Sequence, residues 1–211
     1  MVKMRLFWVI FFLVLTIGYP ILLLCPIRMV KLRNELKVFF YRTTFPTAVL
    51  CIIINYDIWL KNILDFKKYV LLVGILLGWI CANISCSVVN KFNDVIIIPI
   101  KVLFDKKSIY DLGKILIMCM IEEILWRNII WNYFYTNALV CNILEILIIS
   151  LLFTLSHFHS YIKYIQLMDL FIFSLILCCL FNWLGSLWLV IIIHFVRNVF
   201  IDSLREGKKY D

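Results

Sequence analysis

Four polar side chains lie within stretches of sequence that are otherwise apolar enough to span a membrane. They are Glu122, His157, His194 and Asn198. A charged group at the centre of a bilayer costs at least ~3 kcal/mol, so chains rarely keep one there without a use. A buried carboxylate can act as a general base, and donor groups on a rigid face can stabilise an oxyanion. The set predicts an intramembrane site, and proteolysis is the chemistry that it fits best.

The first motif, Glu122-Glu123-Ile-Leu-Trp-Arg127, lies near the middle of a predicted helix over residues 110–134. Neighbouring helical residues point about 100° apart, so the two glutamates cannot serve one site equally. Glu123 and Arg127 are four residues apart in the order that favours an ion pair. This pairing leaves Glu122 to face a cavity as a general base. The alternative is a purely structural polar cluster of all three residues.

Two later apolar segments carry the other polar groups. Phe153-Thr-Leu-Ser-His157 ends the first of them, where a lone histidine is also compatible with a hydrogen bond between helices. His194 and Asn198 are four residues apart in the last segment and therefore share one helical face. Two donors on one face can form an oxyanion hole, and an interhelical polar clamp is the alternative.

The composition places these motifs in a membrane protein. Of 211 residues, 64% are hydrophobic and 16% charged, against about 45–50% and about 25% in soluble domains. Since a spanning helix needs about 20 apolar residues, the candidate spans are 6–25, 45–60, 69–89, 93–104, 110–134, 138–157, 161–183 and 186–204. Asn55 and Asp57 interrupt the second, and the fourth is short. We expect an all-α integral membrane protein, a bundle of six to eight transmembrane helices with an intramembrane polar cavity.

The charge distribution predicts how this bundle is oriented. The formal net charge is +8, and cytoplasmic loops carry the excess of Lys and Arg. With eight spans, twice as many basic residues lie on the side of the two termini as on the other, which predicts cytoplasmic termini. The basic stretch 28–42 argues against this orientation. Nucleic acid is excluded as a partner, because no basic helix or aromatic-interleaved basic run occurs.

The eight cysteines lie almost entirely in apolar runs and lack metal-binding spacing. They are predicted to be buried packing residues.

The order of the three motifs, EExxxR, FxxxH and HxxxN, resembles the CPBP family of membrane proteins. This family groups the type II prenyl-CAAX endopeptidases with bacteriocin-processing and immunity (Abi) proteins. Two further matches are Ser150-Leu-Leu-Phe153 and Gly185-Ser186-Leu187-Trp188. The resemblance covers roughly residues 110–200 and departs from the usual pattern at Trp126, Asn128 and Thr154. These departures affect packing and pocket shape, and the polar groups are retained.

The resemblance implies an intramembrane endopeptidase, of the metalloendopeptidase or the glutamate type. Glu122 and His157 would orient and deprotonate a water, while His194 and Asn198 would hold the oxyanion. The supporting residues are Glu123 and Arg127. The chain then divides into amino-terminal transmembrane helices at 1–105, a catalytic core at 106–204 and a short basic cytoplasmic tail at 205–211.

The cofactor prediction is either none or a zinc ion held by Glu122, His157 and His194. The absence of HExxH, and the poor quality of Asn198 as a zinc ligand, favour a metal-free mechanism. The predicted partners are the lipid bilayer and a peptide or protein substrate near the cytoplasmic membrane face, either prenylated or a bacteriocin or signal-peptide precursor. Abundant Ile, Lys and Asn favour the plasma membrane of a low-GC bacterium.

Two other classes remain open at this stage. A bacteriocin self-immunity or membrane scaffold protein would share the fold without requiring hydrolysis. A transporter would use the further intramembrane acids Glu145 and Asp169, but it would explain neither the HxxxN face nor the order of the motifs.

Overall fold

The computed structural model describes residues 2–24, 30–89, 109–134, 139–158 and 164–207. These residues contain helices and no strand, so the predicted all-α class is confirmed for them. The helices are α1 (Val2–Leu24), α2 (Val30–Ile54), α3 (Tyr56–Leu64), α4 (Lys68–Val89), α5 (Ile109–Glu123), a π-helix (Ile124–Ile130), α6 (Trp131–Phe134), α7 (Leu139–Ser156), α8 (Tyr164–Leu184) and α9 (Leu187–Gly207). The predicted span 93–104 and the end of the predicted tail 205–211 lie outside the described residues.

Some of the described helices are long and apolar enough to cross a membrane. Lys68–Ser87 and Tyr164–Leu184 meet both conditions by themselves. Arg42–Ile54 and Tyr56–Leu64 meet them as a pair bent by 76°, which would make a third span. Met4–Gly18 and Asn142–Ser156 are shorter apolar helices. Two to three spans are therefore found by length and composition, and the larger number of six to eight stays a prediction.

The bend between α2 and α3 lies at Asn55, one of the two polar residues that interrupt the second candidate span. The Asn55 side chain is fully buried and donates from Nδ2 to the Cys51 carbonyl oxygen at 2.8 Å. Its Oδ1 accepts from the Tyr133 hydroxyl at 3.0 Å. The second interrupting residue, Asp57, accepts from Arg5 at 2.8 Å. The bend is thus accompanied by polar side chains that find partners nearby, as a buried amide requires.

The chain divides into two compact units, each formed from two stretches of sequence. Unit one comprises Met1–Leu60 and Ile124–Cys178, and unit two comprises Lys61–Glu123 and Cys179–Asp211. Unit one therefore contains α1, α2, α6, α7, the π-helix and most of α8. Unit two contains α4, α5 and α9.

Aromatic rings form part of the core of unit one. The Trp126 ring of the π-helix packs edge-on against Phe12 of α1 and Phe153 of α7, with centroid distances of 5.9 and 5.8 Å. All three rings are buried. Edge-to-face rings at this spacing are a favourable aromatic geometry, so Trp126, a departure from the usual family pattern, has a packing role here.

The core of unit two is the contact between α4 and α9, which approach closely at two glycines. A Cβ on Gly74 would lie 2.7 Å from Ile192 Cγ2, and one on Gly78 would lie 2.7 Å from Val196 Cβ. Gly74-Ile-Leu-Leu-Gly78 is a GxxxG pattern, whose small residues let two helices pack with their backbones near each other. Since Gly74 meets Ile192 and Gly78 meets Val196, the two helices run parallel.

The predicted helix over 110–134 is helical throughout but is not a single α-helix. α5 ends at Glu123, and Ile124–Ile130 form a π-helix before α6 begins. A π-helix bonds residue i to i+5 and so places more residues in each turn. α-Helical spacing from Glu123 therefore does not hold through this segment, in which every side chain is buried.

Candidate active site

In unit two, α5 and α9 bring a carboxylate–imidazole cluster together. His194 of α9 contacts Glu123, and Asn198, one turn later, contacts Cys119, one turn earlier on α5. The two helices therefore run antiparallel along this face. The i and i+4 spacing of each pair places its members on one side of its helix, as the sequence predicts for His194 and Asn198.

The shortest polar contact in this cluster joins His194 and Glu123. His194 Nδ1 lies 2.6 Å from Glu123 Oε1, and the two side chains are 3% and 0% exposed. An ionised carboxylate can only accept, so the imidazole donates its Nδ1 hydrogen in this bond. A carboxylate on one ring nitrogen fixes the ring orientation and leaves the other nitrogen for chemistry.

The second ring nitrogen of His194 faces the other glutamate. Nε2 lies 3.6 Å from Glu122 Oε2, beyond hydrogen-bond length but within ion-pair range. The Glu122 side chain is 22% exposed, whereas Glu123 is fully buried. The adjacent glutamates thus occupy different surroundings, as their angular separation on the helix predicts. Glu122 is the carboxylate that a water molecule can reach.

Asn198 is held by a contact with a thiol. Its Nδ2 donates to Cys119 Sγ at 3.6 Å, a length typical of weak bonds to sulfur. Cys119 is 1% exposed, as predicted for a cysteine in an apolar run, whereas Cys179 of α8 is exposed and departs from that prediction. Its place one turn before Glu122 and Glu123 puts the thiol beside the site.

The start of α9 is fixed by the Gly-Ser-Leu-Trp motif. Gly185 has a φ of +62°, a conformation that favours glycine, and its N–H bonds to the Phe181 carbonyl as α8 ends. Trp188 Nε1 donates to the Ile63 carbonyl at 2.7 Å, and its ring packs edge-on against Phe66. These contacts give the helix that carries His194 a defined starting point in unit two.

In unit one, His157 and Arg127 contact the same aromatic ring. His157 follows the last residue of α7, and its Nδ1 lies 2.9 Å from the Phe153 carbonyl and 3.0 Å from Ser156 Oγ. The Phe153 ring lies 4.6 Å from the His157 ring and 4.3 Å from the Arg127 guanidinium carbon. The phenylalanine of the FxxxH motif therefore supports both polar residues.

Arg127 is completely buried within unit one. Its guanidinium donates to Ser174 Oγ of α8 at 2.7 Å and lies over the Phe153 ring. A cation over an aromatic face is a favourable arrangement when it is desolvated. Arg127 thus connects the π-helix with α7 and α8, which is compatible with a supporting role.

The predicted site residues are distributed over the two units. Unit two holds Glu122, Glu123, His194 and Asn198, which the contacts above bring together. Unit one holds Arg127 and His157. The meeting of His157 with Glu122 around one water therefore stays a prediction.

Metal binding is the alternative chemistry that the sequence leaves open for this site. Among the described residues, no three His, Cys, Asp or Glu side chains are arranged to hold a metal ion. Catalytic zinc takes three protein ligands as a rule. Glu122 Oε2 and His194 Nε2 supply two donor atoms in unit two, and the third predicted ligand, His157, lies in unit one. The choice between zinc and a metal-free site stays a prediction.

Three residues near this site are not among the defining positions of the EExxxR, FxxxH and HxxxN motifs. Cys119 contacts Asn198, and Ser85 of α4 accepts from Arg197 Nε at 3.0 Å. Arg197 is only 3% exposed, so its side chain is buried within unit two. The GxxxG pattern in α4 is the one sequence signal that predicts a close helix partner there.

The fold and the cluster define a class of protein: an integral membrane protein, helical over the described ranges, with carboxylates and an imidazole between apolar helices. Residues 108–200 match the family model described as type II CAAX prenyl endopeptidase Rce1-like. This match confirms the resemblance to the CPBP family of proteases over these residues. No curated protein and no solved structure matches the chain.

Proposed function

We propose that this protein is an intramembrane endopeptidase that hydrolyses a peptide bond with a water activated by Glu122 and His157. The observation that carries the proposal is the placement of His194 between two glutamates, with Glu123 bound to Nδ1 and Glu122 facing Nε2. A buried imidazole oriented by one carboxylate beside a second, partly exposed carboxylate is suited to acid–base and oxyanion chemistry. The family match supplies the reaction class.

The proposed reaction begins with proton transfer from water to Glu122, assisted by His157. The hydroxide adds to the carbonyl carbon of the scissile bond, and the negative charge moves to the carbonyl oxygen. Donors on His194 and Asn198 hold this oxyanion. The intermediate then collapses, the C–N bond breaks, and the proton taken from water passes to the leaving amine.

The contact with Glu123 sets a condition on the role of His194. Because Nδ1 already donates to Glu123, a bond from Nε2 to the oxyanion requires the charged ring, with hydrogens on both nitrogens. The Glu123 carboxylate compensates that charge within the buried cluster. Glu123 is thereby proposed to act as the positioning partner of His194, in addition to its predicted support of the helix with Arg127.

We propose a metal-free reaction, because a glutamate base and two oxyanion donors complete the chemistry without a Lewis acid. The proposed substrate is a peptide or protein segment at the cytoplasmic face, and the family description favours a prenylated carboxyl terminus over a bacteriocin or signal-peptide precursor. We further propose a bacterial plasma membrane with both termini cytoplasmic, and residues 106–204 as the catalytic core. A non-catalytic immunity or scaffold protein is the alternative.

The full chain in liposomes tests this proposal with two fluorogenic peptides of one sequence, one farnesylated and one not. Glu122→Gln is expected to lower kcat by about 10²- to 10⁴-fold, because the amide cannot accept the proton from water. Glu145→Gln is the matched control, since Glu145 is a buried glutamate of unit one outside the cluster, and we expect kcat within about twofold of wild type.

Equal cleavage by wild type and Glu122→Gln would contradict the proposed base. If cells that carry Glu122→Gln or His157→Ala stay protected against a bacteriocin, the immunity or scaffold protein is favoured. Faster cleavage of the farnesylated peptide would support the substrate class.

A further inference from the structure

A buried arginine lies on α9 between the two proposed oxyanion donors. Arg197 follows His194 by three residues and directly precedes Asn198. Its Nε donates to Ser85 Oγ of α4 at 3.0 Å, and both side chains are only 3% exposed. Burying a guanidinium is costly unless hydrogen bonds compensate it. The bond to Ser85 is one such compensation, and it comes from a helix outside the family-matched residues 108–200.

Part of the α4–α9 contact is aliphatic packing, which by itself gives little rotational preference. Gly74 and Gly78 present a flat surface to Ile192 and Val196. Such a surface allows a close approach, but packing of aliphatic groups tolerates small rotations and shifts along the axis. The planar guanidinium has donors in fixed directions. A single bond from it therefore restricts how far α9 can turn on α4.

Rotation of α9 would move the proposed oxyanion donors directly. His194 and Asn198 contact Glu123 and Cys119 of α5, so a turn of α9 changes the direction in which both donors point. A displacement of about 1 Å in a catalytic group can cost about 10²-fold in rate. Contacts on the α4 side of α9 therefore affect the positions of the proposed oxyanion donors on its α5 side.

We propose that Ser85 and Arg197 form a positioning pair that sets the orientation of α9, and thereby of His194 and Asn198. α4 then contributes to the geometry of the site, although its residues precede the predicted catalytic core at 106–204. The catalytic consequence rests on the proposed peptidase function, whereas the effect on His194 does not.

Ser85→Ala removes the acceptor with little change in volume. Ser87→Ala is the matched control, because Ser87 is a buried serine of the same helix whose hydroxyl donates to the Asn83 carbonyl of α4 itself. Ser85→Thr keeps the hydroxyl and should restore wild-type behaviour. Arg197→Lys keeps the charge but loses the guanidinium geometry, which separates positioning from a purely electrostatic effect.

Two measurements are made on the full chain in liposomes or nanodiscs. Cleavage of the farnesylated fluorogenic peptide gives kcat and KM. The ring ¹⁵N resonances of His194 are compared at one fixed pH in protein labelled at its three histidines, with His194→Gln used for assignment. The second readout needs no substrate.

For Ser85→Ala we expect kcat to fall about tenfold with KM within about twofold, together with shifted His194 resonances. Arg197→Lys should behave in the same way, and the double variant should be no worse than Arg197→Lys alone. Ser87→Ala should match wild type in both measurements.

Unchanged His194 resonances in both Ser85→Ala and Arg197→Lys would overturn the proposal. If Ser85→Ala fails to fold, the His194 resonances of Arg197→Lys, compared with those of Ser85→Thr, decide the proposal. If wild type cleaves neither peptide, the peptidase function fails, and the His194 measurement still decides the positioning.

Discussion

At the scale of single residues, His194 has a carboxylate on each of its ring nitrogens. Glu123 holds Nδ1 at 2.6 Å, and Glu122 lies 3.6 Å from Nε2. The nearer contact orients the ring, and the farther one leaves room for a reacting group. The proposed oxyanion role therefore depends on a donor at the Nε2 position, which substitutions can test.

Replacing His194 by two amides of different length distinguishes donation from proton transfer. The Gln amide nitrogen reaches the region of Nε2 and can donate there, so His194→Gln should lose only about tenfold in kcat. His194→Ala should lose about 10²- to 10³-fold, the usual cost of an oxyanion donor. Cleavage of the fluorogenic peptide under single-turnover conditions measures both.

His194→Asn serves as the control, because its shorter amide reaches the region of Nδ1 and Glu123 but not that of Nε2. It should be as slow as His194→Ala. If His194→Gln is equally slow, His194 transfers a proton instead of donating to an oxyanion.

At the scale of elements, the aromatic ring of the FxxxH motif links polar residues from two helical segments. Phe153 of α7 lies between His157 and the buried Arg127 of the π-helix. π-Helices are rare and often occur at functional sites. Here the π-helix directly follows Glu123, and its Arg127 and Trp126 both pack on Phe153.

Removing the Phe153 ring should therefore impair His157 more than it impairs folding. Phe153→Leu is expected to lower kcat/KM about tenfold, because the ring no longer supports the imidazole that orients water. Phe12→Leu is the control, since Phe12 is a buried ring of unit one that also packs against Trp126. It should remain within about twofold of wild type at a similar thermal stability. Equal losses in the two variants would indicate general packing damage in unit one.

At the scale of the whole molecule, the two units are interleaved in sequence, and the proposed residues come from both. The division between them falls at Glu123 and Ile124, within the first motif. Unit two contributes the carboxylates and the oxyanion donors, and unit one contributes His157 and Arg127. A zinc site built from Glu122, His157 and His194 would need ligands from both units. The choice between zinc and a metal-free reaction is therefore tested on the complete protein.

Metal removal tests directly whether the reaction needs zinc. For a metal-free reaction, dialysis of the liposome-embedded protein against 1,10-phenanthroline and then EDTA should leave kcat within about twofold, since Glu122 itself removes the proton from water. The metal content is measured on the same samples. Loss of activity that returns on addition of zinc would establish the zinc alternative, and a thermolysin sample treated in parallel verifies that chelation was effective.

Much of the site could be predicted from local patterns. Apolar runs and the 3.6-residue period define the helices, the shared face of His194 and Asn198, and the different directions of Glu122 and Glu123. The motif order indicated a resemblance to the family, and the match over residues 108–200 confirmed that resemblance. These features depend only on neighbours along the chain, which is why the sequence by itself determined them.

Partners that are distant in sequence required the tertiary structure. The contact of Glu123 with His194, the bond between Ser85 and Arg197, and the thiol of Cys119 beside Asn198 join residues 71 to 112 positions apart. The π-helix after Glu123 was also outside the reach of periodicity, because one additional residue in a turn leaves no mark in composition. In an apolar protein many helix pairings bury similar surfaces, and only the packed structure decides which polar groups meet.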